Sequence, residues 1–312
     1  MGSRSMLRLG IVILTYNSER DLPLCLEGIL AQRNVAADVI VVDNGSRAVS
    51  RDKMRADVRN ALPDVLELEA SQKLPSDYRR GAGLFVSNDR NAGYSAGNNI
   101  GARLAVSLGC EAVLIVNPDI RIEDSGYLAK LAATLFASER NAVAASAVWN
   151  LAGVNENPMF EPGLVREILS PLFMVFAGLS RRRFGGNPKP STPTGNDKFS
   201  GCCFLVRSTF LERIGYFDEN VFLYCEEAIL AEQVRRAGLS SVYNGEISAV
   251  HAHRTSEKGD PVHRLSVWAR SRRYYHTRYR GTGLIALATL RISYGLMLAM
   301  LRMRVWAQGG FR

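Results

Sequence analysis

Asp43, Asp119, Glu226, Glu227 and His251 are the residues of this 312-residue chain best placed to do chemistry. Asp119 closes the run 114–119 (LIVNPD). A short unbroken series of aliphatic residues suits a strand covered on both faces, and Pro118, with no N–H to donate, ends the ladder. Asp43 ends a similar run at 39–42 (VIVV), and Glu226-Glu227 opens a stretch of helical periodicity. The C-terminal ends of parallel strands meet at one sheet edge, where open α/β folds bind ligands, so these carboxylates can share a cleft. Hard oxygen donors beside glycine-rich turns suit a divalent cation holding a diphosphate. Taken singly, each has a plainer reading: a solvated turn Asp, a Glu favoured by a helix dipole, a structural His.

The elements that must carry these groups alternate along the chain. Residues 9–14 (LGIVIL) predict a first strand, followed by Thr15-Tyr16-Asn17. Ser18 and Asp21 form a capping-box pattern ahead of Leu22, Cys25, Leu26, Ile29 and Leu30 at helical spacing. Residues 39–42 predict a second strand, 47–82 a charged irregular stretch with one or two helical pieces, and 83–87 a third strand. Gly93, Gly97 and Gly101 recur every four residues in 91–101 (NAGYSAGNNIG), leaving a side-chain-free stripe on a helix that ends near Gly109. Residues 112–117 form the fourth strand. Later, 199–206 reads as a strand, 208–214 as a short helix, 228–237 as a helix closed by Gly238, and 241–243 as a last strand with His251 beyond it. This alternation predicts an α/β fold with a mostly parallel central sheet flanked by helices.

A hydrophobic content of 47% suffices for one large domain or two modest ones. The net charge of +9 is uneven. Residues 261–312 hold ten arginines and no Asp or Glu, so residues 1–260 carry −1. Such a tail calls for an anionic partner, phospholipid or nucleic acid. Within it, Arg and Tyr interleave at 270–280, and 283–301 is apolar apart from Arg291, Ser and Thr. That segment is long enough to cross a bilayer, but Arg291 near its middle costs about 2.5–3.5 kcal/mol on insertion. An in-plane amphipathic helix is the preferred reading, and a helix packed on the body the alternative. Residues 171–179 (PLFMVFAGL), followed by Arg181-Arg182-Arg183, read either as a surface touching a bilayer or a lipid-linked acceptor, or as a core-packed helix. Residues 187–196 read as a loop. Five cysteines without CxxC spacing, two of them adjacent in an apolar run, suit the core of a chain in a reducing, cytoplasmic setting. Met1-Gly-Ser-Arg-Ser reads as a leader ahead of Met6, with no secretory signal before the first strand.

The first strand is not followed by a Gly-x-Gly-x-x-Gly turn, which excludes a Rossmann dehydrogenase. A P-loop, a Gly-x-Ser-x-Gly elbow and zinc-type spacing are likewise missing from the sequence. Five segments resemble the family 2 glycosyltransferases: 11–19 (IVILTYNSE), 39–46 (VIVVDNGS), 91–101, 114–120 (LIVNPDI) and 199–239. Within that family they are most similar to the bacterial rhamnosyltransferase-like members. The likeness covers residues 7–254 in the family's order.

The resemblance implies a GT-A fold, a dTDP- or UDP-sugar donor, a divalent metal (Mg2+ or Mn2+) and inversion at the anomeric carbon. Thr15, Tyr16 and Asn17 match the first donor-binding segment, Asp43 the residue that reads the base, and Asn91, Gly93 and Asn99 the segment lining the nucleotide. Asn117-Pro118-Asp119 stands at the DxD position. Asp119 is then the metal ligand, and Asn117 replaces the first Asp with the loss of one charge. Glu226-Glu227 stands at the ED position, with Glu227 the general base and Glu226 beside it; Glu for Asp reaches one methylene further. His251 matches a late histidine that completes the metal site in some members, and His253 ranks behind it. The expectation is an inverting transferase moving a sugar, rhamnose being a candidate, to a saccharide or lipid-linked acceptor in cell-surface polysaccharide synthesis. Its transferase domain is placed at 7–260, with a nucleotide-sugar half at 7–120 and an acceptor half at 121–260. The basic tail, 261–312, is placed peripherally on the anionic inner face of the cell membrane. Asn117 and the Glu-Glu pair motivate one alternative, an inactive nucleotide- or membrane-binding assembly protein. A sugar nucleotidyltransferase needs a glycine-rich basic loop that 15–18 is not, and nucleic acid ranks below the membrane as a partner.

Overall fold

The computed structural model describes residues 7–179, 198–253 and 259–309. The leader, Arg181-Arg182-Arg183 and the 187–196 loop lie outside the described residues. The elements run β1 (Arg8–Thr15), α1 (Leu22–Leu30), β2 (Ala36–Asn44), α2 (Ala48–Ala61), β3 (Leu66–Glu69), β4 (Leu84–Asn88), α3 (Tyr94–Ser107), β5 (Ala112–Val116), β6 (Ile120–Arg121) and α4 (Tyr127–Phe136). They continue β7 (Asn141–Asn150), α5 (Leu164–Ile168), α6 (Ser170–Leu179), β8 (Cys203–Arg207), α7 (Ser208–Ile214), α8 (Glu226–Arg236), β9 (Ser240–His251), α9 (Pro261–Arg278) and α10 (Leu284–Gly309).

Among the described residues, nine strands form one sheet in the order β3-β4-β2-β1-β5-β8-β7-β9-β6. The first five run parallel. β8 reverses direction against both β5 and β7, β9 is parallel to β7, and β6 is antiparallel to β9. Alternate residues of each strand feed opposite faces, as period two requires. Leu9, Ile11 and Ile13 of β1 join Leu26, Met54 and Leu131 on one face, while Val12, Val42 and Ile115 join Ala102, Phe210 and Val234 on the other. All five cysteines are free and buried. Cys202 precedes β8 and shares a core cluster with Cys203.

The glycine stripe on α3 does seat that helix tightly. A Cβ on Gly101 would lie 2.6 Å from Val12 Cγ1, and one on Gly97 2.5 Å from Leu14 Cδ1. The approach is matched from the sheet side, where a Cβ on Gly10 would overlap Ala105 Cβ. Gly10→Ala is expected to lower stability by about 1–3 kcal/mol, the usual cost of overpacking. An unchanged denaturation midpoint would refute this close seating.

Three local expectations are corrected. The 47–82 stretch holds the full helix α2 and the edge strand β3. Only Ser50, Met54 and Val58 of α2 are buried, so its apolar stripe is too sparse to read, and β3 (LELE) carries the charges typical of a sheet edge. Ser18 and Asp21 do not form a capping box: Ser18 O accepts from the backbone N–H groups of Asp21 and Leu22, and the Asp21 carboxylate pairs with Arg121 at 2.7 Å. The last strand does not stop at Tyr243, because β9 stays paired with β7, through a register shift, as far as His251.

α5, α6, α9 and α10 form a separate helical layer. Pro261 and the Asp260 side chain, which accepts from Val262 N, start α9. Glu167 anchors the layer. Only 2% exposed, it accepts from Arg272 Nε at 2.7 Å and from Tyr294 Oη, and it lies 3.0 Å from His276 Nε2. Burial alone would raise its pKa, but the bonds to Arg272 and His276 outweigh burial and hold it at about 2. An unfolded glutamate titrates near pH ~4.3. The stabilisation is therefore complete above that value and is lost as pH falls toward about 2. Glu167→Gln is expected to lower the midpoint at neutral pH and to flatten its decline in acid; a parallel decline in both proteins would refute the anchor.

Candidate active site

β1 and β5 are neighbours, so Thr15-Tyr16-Asn17 and Asn117-Pro118-Asp119 leave the sheet side by side. They line an open cleft of 550 Å³ together with Asn44, Asn91, Gly93, Tyr94, Leu223 and His253. The wall is built from asparagines. Asn44 Nδ2 donates to Asn91 Oδ1 at 3.1 Å and to Gly93 O at 3.0 Å, while Asn44 Oδ1 accepts from Asn88 Nδ2 at 3.0 Å. Gly93 has φ +94°, and a Cβ there would overlap Phe222 O, so only glycine fits.

Asp43 lies one layer beneath this surface. It is fully buried, accepts from Arg51 Nε at 2.7 Å and from Ser46 N at 3.3 Å, and does not line the cleft. Asn99 also stands away from the cleft. Its Nδ2 donates to Phe217 O at 2.9 Å and Glu219 Oε1 at 2.7 Å, and its Oδ1 accepts from Phe217 N at 3.0 Å. It thereby ties α3 to the loop that leads to Glu226.

Asp119 gathers two histidines. Its Oδ2 lies 3.3 Å from His251 Nε2 and 3.3 Å from His253 Nδ1. β6 makes this meeting possible: Ile120 pairs with His251, and Ala252 N donates to Asp119 O at 2.8 Å. The other nitrogen of His251, Nδ1, lies 2.7 Å from Glu156 Oε2. Burial alone would lower the His251 pKa, but its contacts with Asp119 and Glu156 outweigh it and lift the value to about 9. Burial likewise works to raise Asp119, and His251 then His253 hold it below the ordinary range. One ligand atom each of Asp119, His251 and His253 lie within 4.8 Å of one another, and Asp119 Oδ1 is buried with no hydrogen-bond partner among the described residues. One carboxylate, two imidazoles and an orphaned oxygen fit a divalent cation. His253 ranks only second in the sequence, which carries no signal for Glu156, 95 residues from its partner.

Glu226 and Glu227 begin α8 after Cys225, whose φ of +72° turns the chain sharply. They line an inner pocket with Tyr94, Phe199, Gly201, Phe204 and Phe217, and neither lines the cleft. Tyr94 lines both spaces, and its hydroxyl donates to Gly201 O. Glu226 Oε1 is buried without a partner among the described residues. Burial, then the charge of Glu227, push the Glu226 carboxyl well above the ordinary range.

Comparison with known proteins agrees with this architecture. A mannosyltransferase from Pyrobaculum calidifontis, solved with GDP-Man and Mn2+, aligns over 98% of this chain and 76% of its own, with a TM-score of 0.58 and 16% identity. The S. aureus TarS 1-349 structure in complex with UDP aligns over 89% of this chain and 74% of its own, with a TM-score of 0.50 and 15% identity. The fold is thus the GT-A fold of glycosyltransferases. The chain belongs to glycosyl transferase family 2, whose model matches residues 10–215. A low-salt glycan biosynthesis hexosyltransferase, Agl10 of Haloferax volcanii, is 28% identical over 248 residues, 78% of this chain and 66% of that protein. The chain therefore spans just under two thirds of that relative. The N-acetylglucosaminyl-diphospho-decaprenol L-rhamnosyltransferase of Mycobacterium tuberculosis is 35% identical over 72 residues, covering 23% of this chain and 24% of that one.

Proposed function

We propose that this chain is an inverting glycosyltransferase that moves a sugar from a nucleotide diphosphate to a hydroxyl of a saccharide or lipid-linked acceptor. The observation that carries this reading is the cluster of Asp119, His251 and His253, of which Asp119 and His253 line the same cleft as Thr15-Tyr16-Asn17. The short match to an N-acetylglucosaminyl-diphospho-decaprenol L-rhamnosyltransferase supports rhamnose as the sugar and a lipid-linked acceptor, and the setting proposed is cell-surface polysaccharide synthesis. Residues 7–260 form the transferase domain, with nucleotide-sugar and acceptor halves meeting near residue 120. The site works in the cytoplasm against the inner face of the cell membrane.

Asp119, His251 and His253 would hold Mg2+ or Mn2+, with Glu156 fixing the His251 ring so that Nε2 faces Asp119. A cation bound there supplies positive charge to the departing diphosphate. Thr15, Tyr16, Asn17, Asn91 and Asn117 grip the nucleotide sugar, and Gly93 lets backbone approach it. Asp43 acts from below, bracing Arg51 and the turn at Ser46. Asn99 acts at one remove as well, holding the approach to α8. Glu227 takes the acceptor proton as that oxygen attacks C1 and the C1–diphosphate bond breaks on the opposite side. Glu226, pushed toward its neutral form by burial and by the Glu227 charge, limits the negative charge beside it.

A thermal-shift panel of UDP-, dTDP- and GDP-sugars tests the reading, since a ligand of the folded state raises the midpoint. One sugar nucleotide is expected to raise it by several degrees with Mn2+ and far less without. No response to any of them in the presence of Mn2+ would overturn the proposal.

A further inference from the structure

α10 is apolar on two opposite sides. Its inner side is buried against α5, α6 and α9, with Leu290, Ser293 and Tyr294 almost inaccessible. At about 100° per residue, Leu284, Ile285, Ile292, Leu296, Met303 and Trp306 fall in one sector roughly 120° wide on the opposite side. All six are exposed, Leu284 and Ile285 at 86% and Trp306 at 80%. The stripe runs for about 33 Å. α6 packs alongside and adds exposed Leu172, Phe173 and Val175. Arg291 and Arg302, both exposed, lie along one border of the stripe, and residues 261–312 contain no acidic side chain.

We propose that the outer face of α10, with α6 beside it, seats in the headgroup and upper acyl region of an anionic bilayer, with α10 lying in the membrane plane. The inner face decides against a spanning helix. Tyr294 Oη donates to the Glu167 carboxylate and Ser293 Oγ to Glu167 O. Pulling α10 into hydrocarbon would strip both bonds and leave the buried Glu167 two partners short. The border decides against a second copy of this chain, because a face edged only by arginine would set like charges against each other across a two-fold axis. An anionic headgroup layer instead complements both the stripe and its border. α9, which packs on α10, reaches the cleft: Ser271 Oγ donates at 2.8 Å to the carbonyl of Leu223, a cleft-wall residue. For the transfer proposed above, this sets the cleft one helix away from the surface on which a lipid-linked acceptor would travel.

The test is flotation of the full chain with phosphatidylcholine vesicles, with and without phosphatidylglycerol, across a salt series and without substrate. Failure here therefore leaves the transfer reading standing. Wild type is expected to float with the anionic vesicles and roughly tenfold or more weakly with neutral ones or at high salt. Ile292→Asp with Leu296→Asp is expected to lose binding by a similar factor at an unchanged thermal midpoint. Should that variant fail to fold, quenching of wild-type tryptophan emission by brominated lipids, removed in large part by Trp306→Phe, reads the same contact. Three results would overturn the proposal. They are no flotation with anionic vesicles, no quenching through Trp306, or a dimer that the Asp variant dissociates without any vesicle binding by wild type.

Discussion

Glu227→Gln is expected to lower kcat by about 10²–10⁴-fold, the usual contribution of a positioned base, while keeping the thermal response to the nucleotide sugar. Gln preserves the shape of the side chain at the start of α8 and removes only its ability to take a proton. Glu226→Gln is the informative partner. Burial and the Glu227 charge already hold Glu226 toward its neutral form, so its amide replaces a group that carries little charge. A small effect is expected there. Steady-state rates of both variants against wild type decide the assignment, and a large loss for Glu226→Gln with none for Glu227→Gln would reverse the two roles.

Asp119→Asn is expected to remove most of the Mn2+-dependent part of the thermal shift and to lower kcat/KM by about 10²-fold or more. Charge stabilisation by a bound cation is worth several kcal/mol, and each 1.36 kcal/mol is tenfold in rate. The substitution removes the one anionic group among the described residues that faces both His251 Nε2 and His253 Nδ1. Two imidazoles and Glu156 remain, so cation affinity measured by calorimetry should fall steeply without vanishing. Unaltered Mn2+ affinity in this variant would overturn the assignment of the cation to Asp119.

The parallel half of the sheet was legible because β1, β2, β4 and β5 carry short aliphatic runs and end at Thr15, Asn44, Asn88 and Val116. Burial on both faces leaves an unbroken apolar signature there. β3 was not legible, since an edge strand with Glu67 and Glu69 has one covered residue, Leu68, and no run to detect. The cleft was legible at its sheet-end residues, where motif position and strand position coincide. Asp43 and Asn99 show the limit of that reasoning. Both stand in matching segments, yet side-chain hydrogen bonds turn one toward Arg51 and the other toward Phe217. Glu156 was beyond reach, because only the long pairing of β7 with β9 brings its loop to His251.

That pairing has a consequence for biosynthesis. Asp119 leaves the ribosome well before His251 and His253, and the two-residue β6 has no partner until β9 arrives. The nascent chain therefore emerges with Thr15-Tyr16-Asn17, Asn91 and Asn117 already in place but with Asp119 still lacking its two histidines. On the proposed reading, capture of a divalent cation would report that the last strand has docked, and free metal would steady the finished molecule over its partly made precursors.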